Sequence, residues 1–294
     1  MKYELIIRSV LKNNVSNIQL ISETSNKVYK VQMQDGDTLY AKFYQGNSTH
    51  IDNELHIYDL VDNKYLKEVI YKSSKPKMAI FKELVGKTVD ELSIEELEVN
   101  SDLIISNICD YFNSLSIHKT EGYGLLDTNL KGQYESFYEF LKERQSNTSA
   151  ILAEYKELSD IFDKIFDKYQ TIIHPDNSLI PIDTNLKNIM VLNDGTIKFV
   201  DPGEMISGPL LMGYGDFVAH TYKTILYDKL ITKLGLTDEQ EKLLRIYAVF
   251  SSLNILAFLK KIGVNNLDEI VPHGNKYTFY ELIKEHLKYL DIQI

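Results

Sequence analysis

The chain has 294 residues, which favours one large domain or two lobes. Hydrophobic residues make up 44% of the chain and charged residues 25%, a composition typical of globular proteins. The formal net charge of −10 argues against a nucleic-acid-binding surface, because such surfaces are basic. The acidic excess serves either solubility or the attraction of a cationic ligand, and composition alone leaves both interpretations open.

Three features of the sequence bear on the cellular compartment. No run approaches about eighteen consecutive apolar residues, so we expect no transmembrane helix and no membrane partner. The first residues lack the apolar core and the cleavage site of a signal peptide. Cys109 is the only cysteine, so no disulfide can form within the chain. Together these features predict a cytoplasmic protein.

The first eighty or so residues have the pattern of a mixed sheet. Residues 27–33 and 38–44 alternate in polarity, and an Asp-Gly turn lies between them. A helix is predicted from about Asp52 to Val61. Two further strands are predicted in VIYKSS and KMAIFKEL, on either side of a Lys-Pro pair at 75–76.

From Ser93 onward the pattern is mostly helical. Ser93 and Glu96 have the spacing of a capping box, and Thr237 and Gln240 repeat it before a long apolar helix that ends near Gly263. Further helices are predicted over 134–145, 148–169 and 278–290. No long linker separates the two parts, so we expect two lobes packed across a cleft.

Three polar residues surround a predicted hairpin in the segment 180–205. Its apolar strands flank an Asn-Asp-Gly turn, which would bring Asn188 close to Asp201, with Asp183 in the preceding loop. An amide and a carboxylate at strand ends suit Mg²⁺, which prefers oxygen ligands. Asp183 would then accept a proton from an attacking hydroxyl, as in phosphoryl transfer. The alternative is that these side chains only cap loops and end a strand.

Lys42 lies in the middle of a predicted strand, between apolar residues, where its ammonium needs an anionic partner. Glu54 on the following helix is the candidate, because a strand lysine paired with a helix glutamate recurs near phosphates in kinases. The alternative is an exposed lysine on a surface strand. The earlier turn, SETSNKVY at 22–29, has no glycine, but its side chains and backbone N–H groups can bind phosphate oxygens. The candidates are Ser22, Thr24, Ser25 and Asn26.

These segments resemble the aminoglycoside phosphotransferase and choline kinase-like group, which are small-molecule kinases with a protein-kinase-like fold. The similar segments are ETSNKVYKVQMQDGDTLYAKFY, IFKELVGKTVDEL, SLSIHKTEGYGLL, PIDTNLKNIMVLNDGTIKFVDPGEM and GYGDF. The resemblance implies an α+β, protein-kinase-like fold of two lobes. Its β-rich, nucleotide-binding N-terminal lobe would span 1–84, and its helical C-terminal lobe, with the catalytic loop, would span 85–294.

The resemblance also implies a role for each polar residue. Asp183 would be the catalytic base, and Asn188 and Asp201 would be the Mg²⁺ ligands. Lys42 would hold the α- and β-phosphates of the nucleotide, with Glu54 behind it.

Two further contacts follow from the resemblance, and two positions depart from it. The backbone at Lys82 and Leu84 would bind the adenine edge, and Asp216 would brace the catalytic loop. Pro181 stands where the group usually has a histidine that steadies this loop. The segment after Asp201 reads Pro-Gly, where an aromatic residue often follows in the group.

The resemblance therefore predicts a Mg²⁺-dependent phosphotransferase that uses ATP or GTP. It would phosphorylate a hydroxyl of a small, cationic molecule such as an aminoglycoside or another antibiotic. The alternative is a non-catalytic nucleotide-binding pseudokinase of the same fold. Pro181 and the glycine-free turn favour this alternative, and the intact set of five charged and amide residues opposes it. The sequence does not distinguish ATP from GTP and predicts no oligomeric state.

Overall fold

The computed structural model describes residues 2–23, 26–45, 49–61, 64–202 and 204–293. Its N-terminal lobe contains a five-stranded antiparallel sheet in the spatial order β1-β2-β3-β5-β4. The elements of this lobe are α1 (Lys2–Val10), β1 (Val15–Glu23), β2 (Asn26–Met33), β3 (Thr38–Tyr44), α2 (Thr49–Leu60), β4 (Val69–Ser74) and β5 (Lys77–Lys82).

The predicted hairpin between β2 and β3 is confirmed. Gly36 has a φ of +99°, a value that a side chain disfavours, so the Asp-Gly turn fits its sequence. On one face of the sheet, Val31, Ala41 and Phe43 are buried against Ile7 of α1. The helix predicted from about Asp52 to Val61 corresponds to α2, but the prediction of a mixed sheet for the rest of this region misses α1, because its nine residues show too short a stretch of helical period.

The C-terminal lobe is mostly helical and carries two small sheets. Its strands are β6 (Gly86–Thr88), β7 (Tyr123–Leu126), β8 (Gly132–Tyr134), β9 (Ser178–Ile182), β10 (Ile189–Leu192), β11 (Ile197–Phe199) and β12 (Glu204–Gly208). Its helices are α3 (Ile94–Ser116), α4 (Phe137–Ile151), α5 (Lys156–Ser159), α6 (Ile161–Tyr169), α7 (Leu210–Thr221), α8 (Ile225–Leu234), α9 (Asp238–Lys261) and α10 (Phe279–Tyr289). The sheets have the orders β11-β10-β6 and β8-β7-β12-β9.

Local chemistry explains where the long helices begin. The capping boxes predicted at Ser93 and Thr237 are both present, and each hydroxyl accepts a hydrogen bond from the backbone N–H three residues later. The helix predicted over 148–169 is wrong in its bounds, because the chain breaks into the end of α4, then α5 and α6. Helix α9 has the length and hydropathy of a membrane span, but 67% of that window is buried in the protein, as in a core helix.

The chain crosses from one lobe to the other between β5 and β6. Gly86 begins β6 and pairs with Leu192 of β10. A Cβ at Gly86 would lie 2.2 Å from the Val191 carbonyl oxygen, so only glycine allows this approach. The N-terminal sheet, the crossing and the helical C-terminal part together form an α+β, protein-kinase-like two-lobe fold. The predicted boundary between residues 84 and 85 falls within the crossing.

Candidate active site

The catalytic-loop candidate Asp183 follows the buried strand β9. Its φ is +63°, a left-handed conformation that aspartate tolerates better than most residues do. The Asn185 side chain donates to its Oδ1 at 2.8 Å, and the Asn188 amide donates to its backbone carbonyl at 3.0 Å. The loop therefore fixes the carboxylate by local hydrogen bonds.

Asp216 of α7 holds this loop through hydrogen bonds from Thr184. Its Oδ2 accepts hydrogen bonds from both the backbone N–H and the hydroxyl of Thr184, each at 2.8 Å. Its Oδ1 accepts from the Ser251 hydroxyl of α9. Pro181, at the position of the usual histidine, is buried in β9 and pairs with Met205 of β12. The loop is thus held by Asp216 and the sheet.

The hairpin β10–β11 brings Asn188 and Asp201 together, as predicted from its turn. The Val200 N–H, one residue before Asp201, donates to the Asn188 carbonyl at 2.9 Å. The Asn188 side-chain nitrogen donates to Asp183, and no hydrogen bond to its side-chain oxygen is found within the described parts of the chain, so this oxygen could bind a cation. The side chain of Asp201 is 46% exposed and also has an oxygen available. Two such oxygens fit a Mg²⁺ that completes its shell with phosphate and water.

Lys42 joins the two lobes electrostatically. Its Nζ lies 3.0 Å from Glu54 Oε1 and 3.3 Å from Asp201 Oδ2, while Tyr44 donates its hydroxyl to Glu54 at 2.8 Å. Burial opposes the charge on Lys42, but the Glu54 and Asp201 carboxylates outweigh it and raise the pKa of the ammonium. The alternative of an exposed lysine on a surface strand is wrong, because only 8% of this residue is accessible.

Solvent reaches Asp183, but the surrounding protein removes much of the hydration of its carboxylate. This desolvation raises the pKa of Asp183 to about 6, and the nearby Asp216 and Asp201 carboxylates add to the rise. The hydrogen bond from Asn185 opposes it. A carboxylate with such a pKa is ionised at neutral pH and is a better base than an ordinary aspartate.

The described nucleotide-binding candidates lie in the β1–β2 hairpin and at the crossing between the lobes. Ser22 and Asn26 flank the β1–β2 turn, and Val28 of that hairpin pairs with both Ser22 and Lys42. Thr24 and Ser25 lie outside the described residues. At the crossing, the Lys82 N–H donates to Glu68, and no backbone hydrogen bond of Leu84 is found within the described ranges.

The structure also shows a buried polar cluster that the sequence did not reveal. The Lys67 ammonium lies 3.8 Å from the centre of the Phe81 ring. Although the Lys67 side chain as a whole is half-buried, desolvation of the ammonium and the nearby Lys42 charge lower its pKa to about 8. The buried hydroxyls of Tyr58 and Tyr111 have no hydrogen-bond partner within the described parts of the chain. Nothing in the sequence distinguishes Lys67 from an ordinary surface lysine, because only tertiary packing places it under Phe81.

A cavity of about 640 Å³ opens beside Asp183, on the C-terminal-lobe side. Its lining comes mainly from α7, α9 and the segment 270–273, with further residues from α4, β9, the loop after β9 and α10. The cavity places the carboxylate of Asp183 against a space large enough for a small molecule.

Comparison with solved structures identifies the architecture. A thermostable mutant of aminoglycoside phosphotransferase APH(4)-Ia, in a ternary complex with AMP-PNP and hygromycin B, aligns with a TM-score of 0.69 at 12% identity, over 99% of this chain and 97% of that chain. The chain has the aminoglycoside phosphotransferase fold. Choline kinase LicA from Streptococcus pneumoniae shares it, with a TM-score of 0.64 at 14% identity over 99% of both chains.

A third structure with this fold is ADP-bound aminoglycoside phosphotransferase APH(2'')-Ib, with a TM-score of 0.61 at 12% identity over 98% of both chains. No family model and no curated protein sequence matches the chain. The resemblance that the sequence segments suggest is therefore shown by comparison of three-dimensional structures, at the level of the fold.

Proposed function

We propose that this protein is a Mg²⁺-dependent phosphotransferase that moves the γ-phosphate of ATP, or of GTP, to a hydroxyl of a small molecule. The observation that carries the proposal is the convergence of Lys42, Glu54 and Asp201 within 3.3 Å, beside the loop that holds Asp183. Residues separated by up to 159 positions in the chain meet there. The fold shared with nucleotide-bound kinases supports the same reaction.

In this mechanism the lobes hold the nucleotide between them. The crossing at Lys82 and Leu84 binds the adenine, and Ser22 and Asn26 lie at the turn over the phosphates. Lys42, oriented by Glu54, binds the α- and β-phosphates. Asn188 and Asp201 would hold Mg²⁺, and the ion would supply positive charge that offsets the charge of the phosphates.

Asp183 acts on the acceptor hydroxyl. Its carboxylate takes the proton as the hydroxyl oxygen forms a bond to the γ-phosphorus, and the bond from that phosphorus to the bridging oxygen of the nucleoside diphosphate breaks. The proton is transferred to the Asp183 carboxylate, and the electron pair of the broken P–O bond stays with the nucleoside diphosphate. A pKa of about 6 keeps the base ionised at neutral pH.

The finer parts of the proposal come from the sequence. The net charge of −10 favours a cationic acceptor, such as an aminoglycoside or another antibiotic, and the single cysteine favours a cytoplasmic reaction. The pseudokinase alternative rests on Pro181 and on the glycine-free turn at 22–29. In the structure the loop has other supports, namely the bonds from Thr184 and Ser251 to Asp216, so this substitution gives no reason to exclude catalysis.

The test is transfer of radiolabelled γ-phosphate from ATP and from GTP to a panel of aminoglycosides, nucleosides and amino alcohols. Transfer that is lost in Asp183→Asn, while nucleotide binding persists, supports the mechanism. Tight Mg²⁺-nucleotide binding without transfer to any acceptor would instead support the pseudokinase.

A further inference from the structure

The cavity beside Asp183 has one extended apolar wall. Six side chains from the end of α9 and the following segment form this wall: Ile255, Phe258, Leu259, Ile270, Val271 and Pro272. Phe258 is 60% exposed and Val271 is 43% exposed. Single exposed apolar residues are ordinary on a protein surface. These residues, however, line the same cavity as Asp183, the candidate catalytic base.

Several polar groups that line the same cavity are already engaged within the protein, whereas the buried Nδ1 of His220 has no hydrogen-bond partner within the described residues. Both carboxylate oxygens of Asp216 accept hydrogen bonds, one of them from Ser251. The side-chain oxygen of Asn254 accepts from Thr148 at 2.6 Å. These groups hold the fold in place, so Asp183 is the carboxylate left to face a ligand among the described lining residues.

The formal charges of the lining cancel. Asp183 and Asp216 are balanced by Arg144 and Lys187, so the acidic excess of the whole chain is not concentrated here. Burial lowers the pKa of His220, and desolvation with the nearby Lys187 charge lowers that of His273. A ligand with several ammonium groups would therefore bring more positive charge than the described lining can pair.

We infer that the acceptor is a hydroxyl compound with an apolar face and at most one positive charge, seated with the apolar face on Phe258 and Val271. This inference rests on the proposed phosphotransferase function. Within that function it favours an acceptor with few charges over the polycationic aminoglycosides that the net charge of the whole chain suggests. A polycationic acceptor, with ammonium groups spread over its whole surface, would leave this wall uncovered and its own charges unpaired.

Calorimetric titration with methyl, butyl and hexyl β-glucosides tests the inference, because these probes keep the hydroxyls and vary only the apolar chain. Affinity is expected to rise about fourfold with each added methylene that reaches the wall. The polycationic aminoglycoside kanamycin is expected to bind more weakly than the hexyl glucoside. Equal affinities along the series, no binding of any glucoside, or tightest binding of kanamycin would overturn the inference.

A matched pair of variants locates the contact. Phe258 and Ile262 are both 60% exposed near the end of α9, but only Phe258 lines the cavity. We expect Phe258→Ser to weaken hexyl glucoside binding at least fivefold and to spare methyl glucoside, whereas Ile262→Ser changes neither. Equal losses in both variants would contradict the assignment. Calorimetry records binding without turnover, so a failed phosphotransferase assay leaves this result unaffected.

Discussion

Lys42 and Glu54 form a buried ion pair, so the effect of replacing one residue on the free energy of unfolding should depend on whether the other is present. The side chains are only 10% and 12% exposed. Removal of one partner of such a pair leaves an uncompensated buried charge, which costs about 3–5 kcal/mol. In Lys42→Met, the hydrogen bond from Tyr44 is the one that Glu54 keeps among the described residues, so we expect the loss to lie within that range.

Glu54→Gln should be milder, because Lys42 keeps the Asp201 carboxylate at 3.3 Å. We expect a loss of about 2 kcal/mol. In the double variant neither charge remains, so its loss should be smaller than the sum of the single losses by about 2 kcal/mol. The free energy of unfolding is measured for all four nucleotide-free proteins by urea denaturation, and the comparison is valid where the m-values agree.

The exposed pair of Lys229 and Asp102, which are 2.8 Å apart, provides the control. Its side chains are 37% and 79% exposed, so the cycle with Lys229→Met and Asp102→Asn should give a coupling of about 0–1 kcal/mol. Additivity within about 0.5 kcal/mol for the Lys42 cycle would refute the argument from burial.

The remaining predictions concern chemistry and pH. Asp183→Asn should lower kcat by about 10²- to 10⁴-fold while the nucleotide Kd stays unchanged, and an unchanged single-turnover rate would remove Asp183 from the mechanism. Because only the ionised base accepts a proton, kcat/KM for the acceptor should fall tenfold per pH unit below about 6, and an inflection that survives in Asp183→Asn belongs to another group. Asp201→Ala should abolish Mg²⁺-dependent nucleotide binding, and retained Mg²⁺ dependence would contradict the ligand assignment. Lys67→Met should be more stable than the parent at pH 7, because the folded parent then buries a charged lysine. This difference in stability should shrink as the pH rises from about 8 to 10.5, because Lys67 is then neutral in the folded protein and still charged in the unfolded chain. A difference in urea midpoints that stays constant over this pH range would argue against a depressed pKa.

The sequence predicts those parts of the site that depend on local pattern. A lysine between apolar strand residues and an Asn-Asp-Gly turn are local signals, so the sequence alone places Lys42 within a strand and Asn188 and Asp201 at strand ends. The sheet of β7, β8, β9 and β12 could not be predicted, since its strands have three to five residues and show too few alternations.

The surroundings of the site are set by packing between distant segments. The cavity wall combines Phe258 of α9 with Val271 of a later segment, and nothing in either segment indicates the other. The Lys67 ammonium is desolvated by tertiary packing, which includes the Phe81 ring 3.8 Å away. The pKa of Asp183 likewise depends on Asp216, which lies 33 positions further along the chain. Such neighbours require tertiary coordinates.

The crossing between the lobes is anchored on both sides of a single residue. The Glu83 N–H is bonded to Thr38 of the N-terminal sheet, and the Val85 carbonyl accepts from Asn193 in the β10–β11 turn. Only Leu84 lies between these anchors, and Gly86 is locked against β10 directly afterwards.

Leu84 has no such anchor within the described ranges, so a rotation of one lobe against the other would pivot on the backbone torsions around Leu84. The same residue is the expected backbone contact of the adenine. A nucleotide whose adenine is hydrogen-bonded to this backbone would restrict the torsions around Leu84. Adenine binding and rotation of the lobes would then be thermodynamically linked.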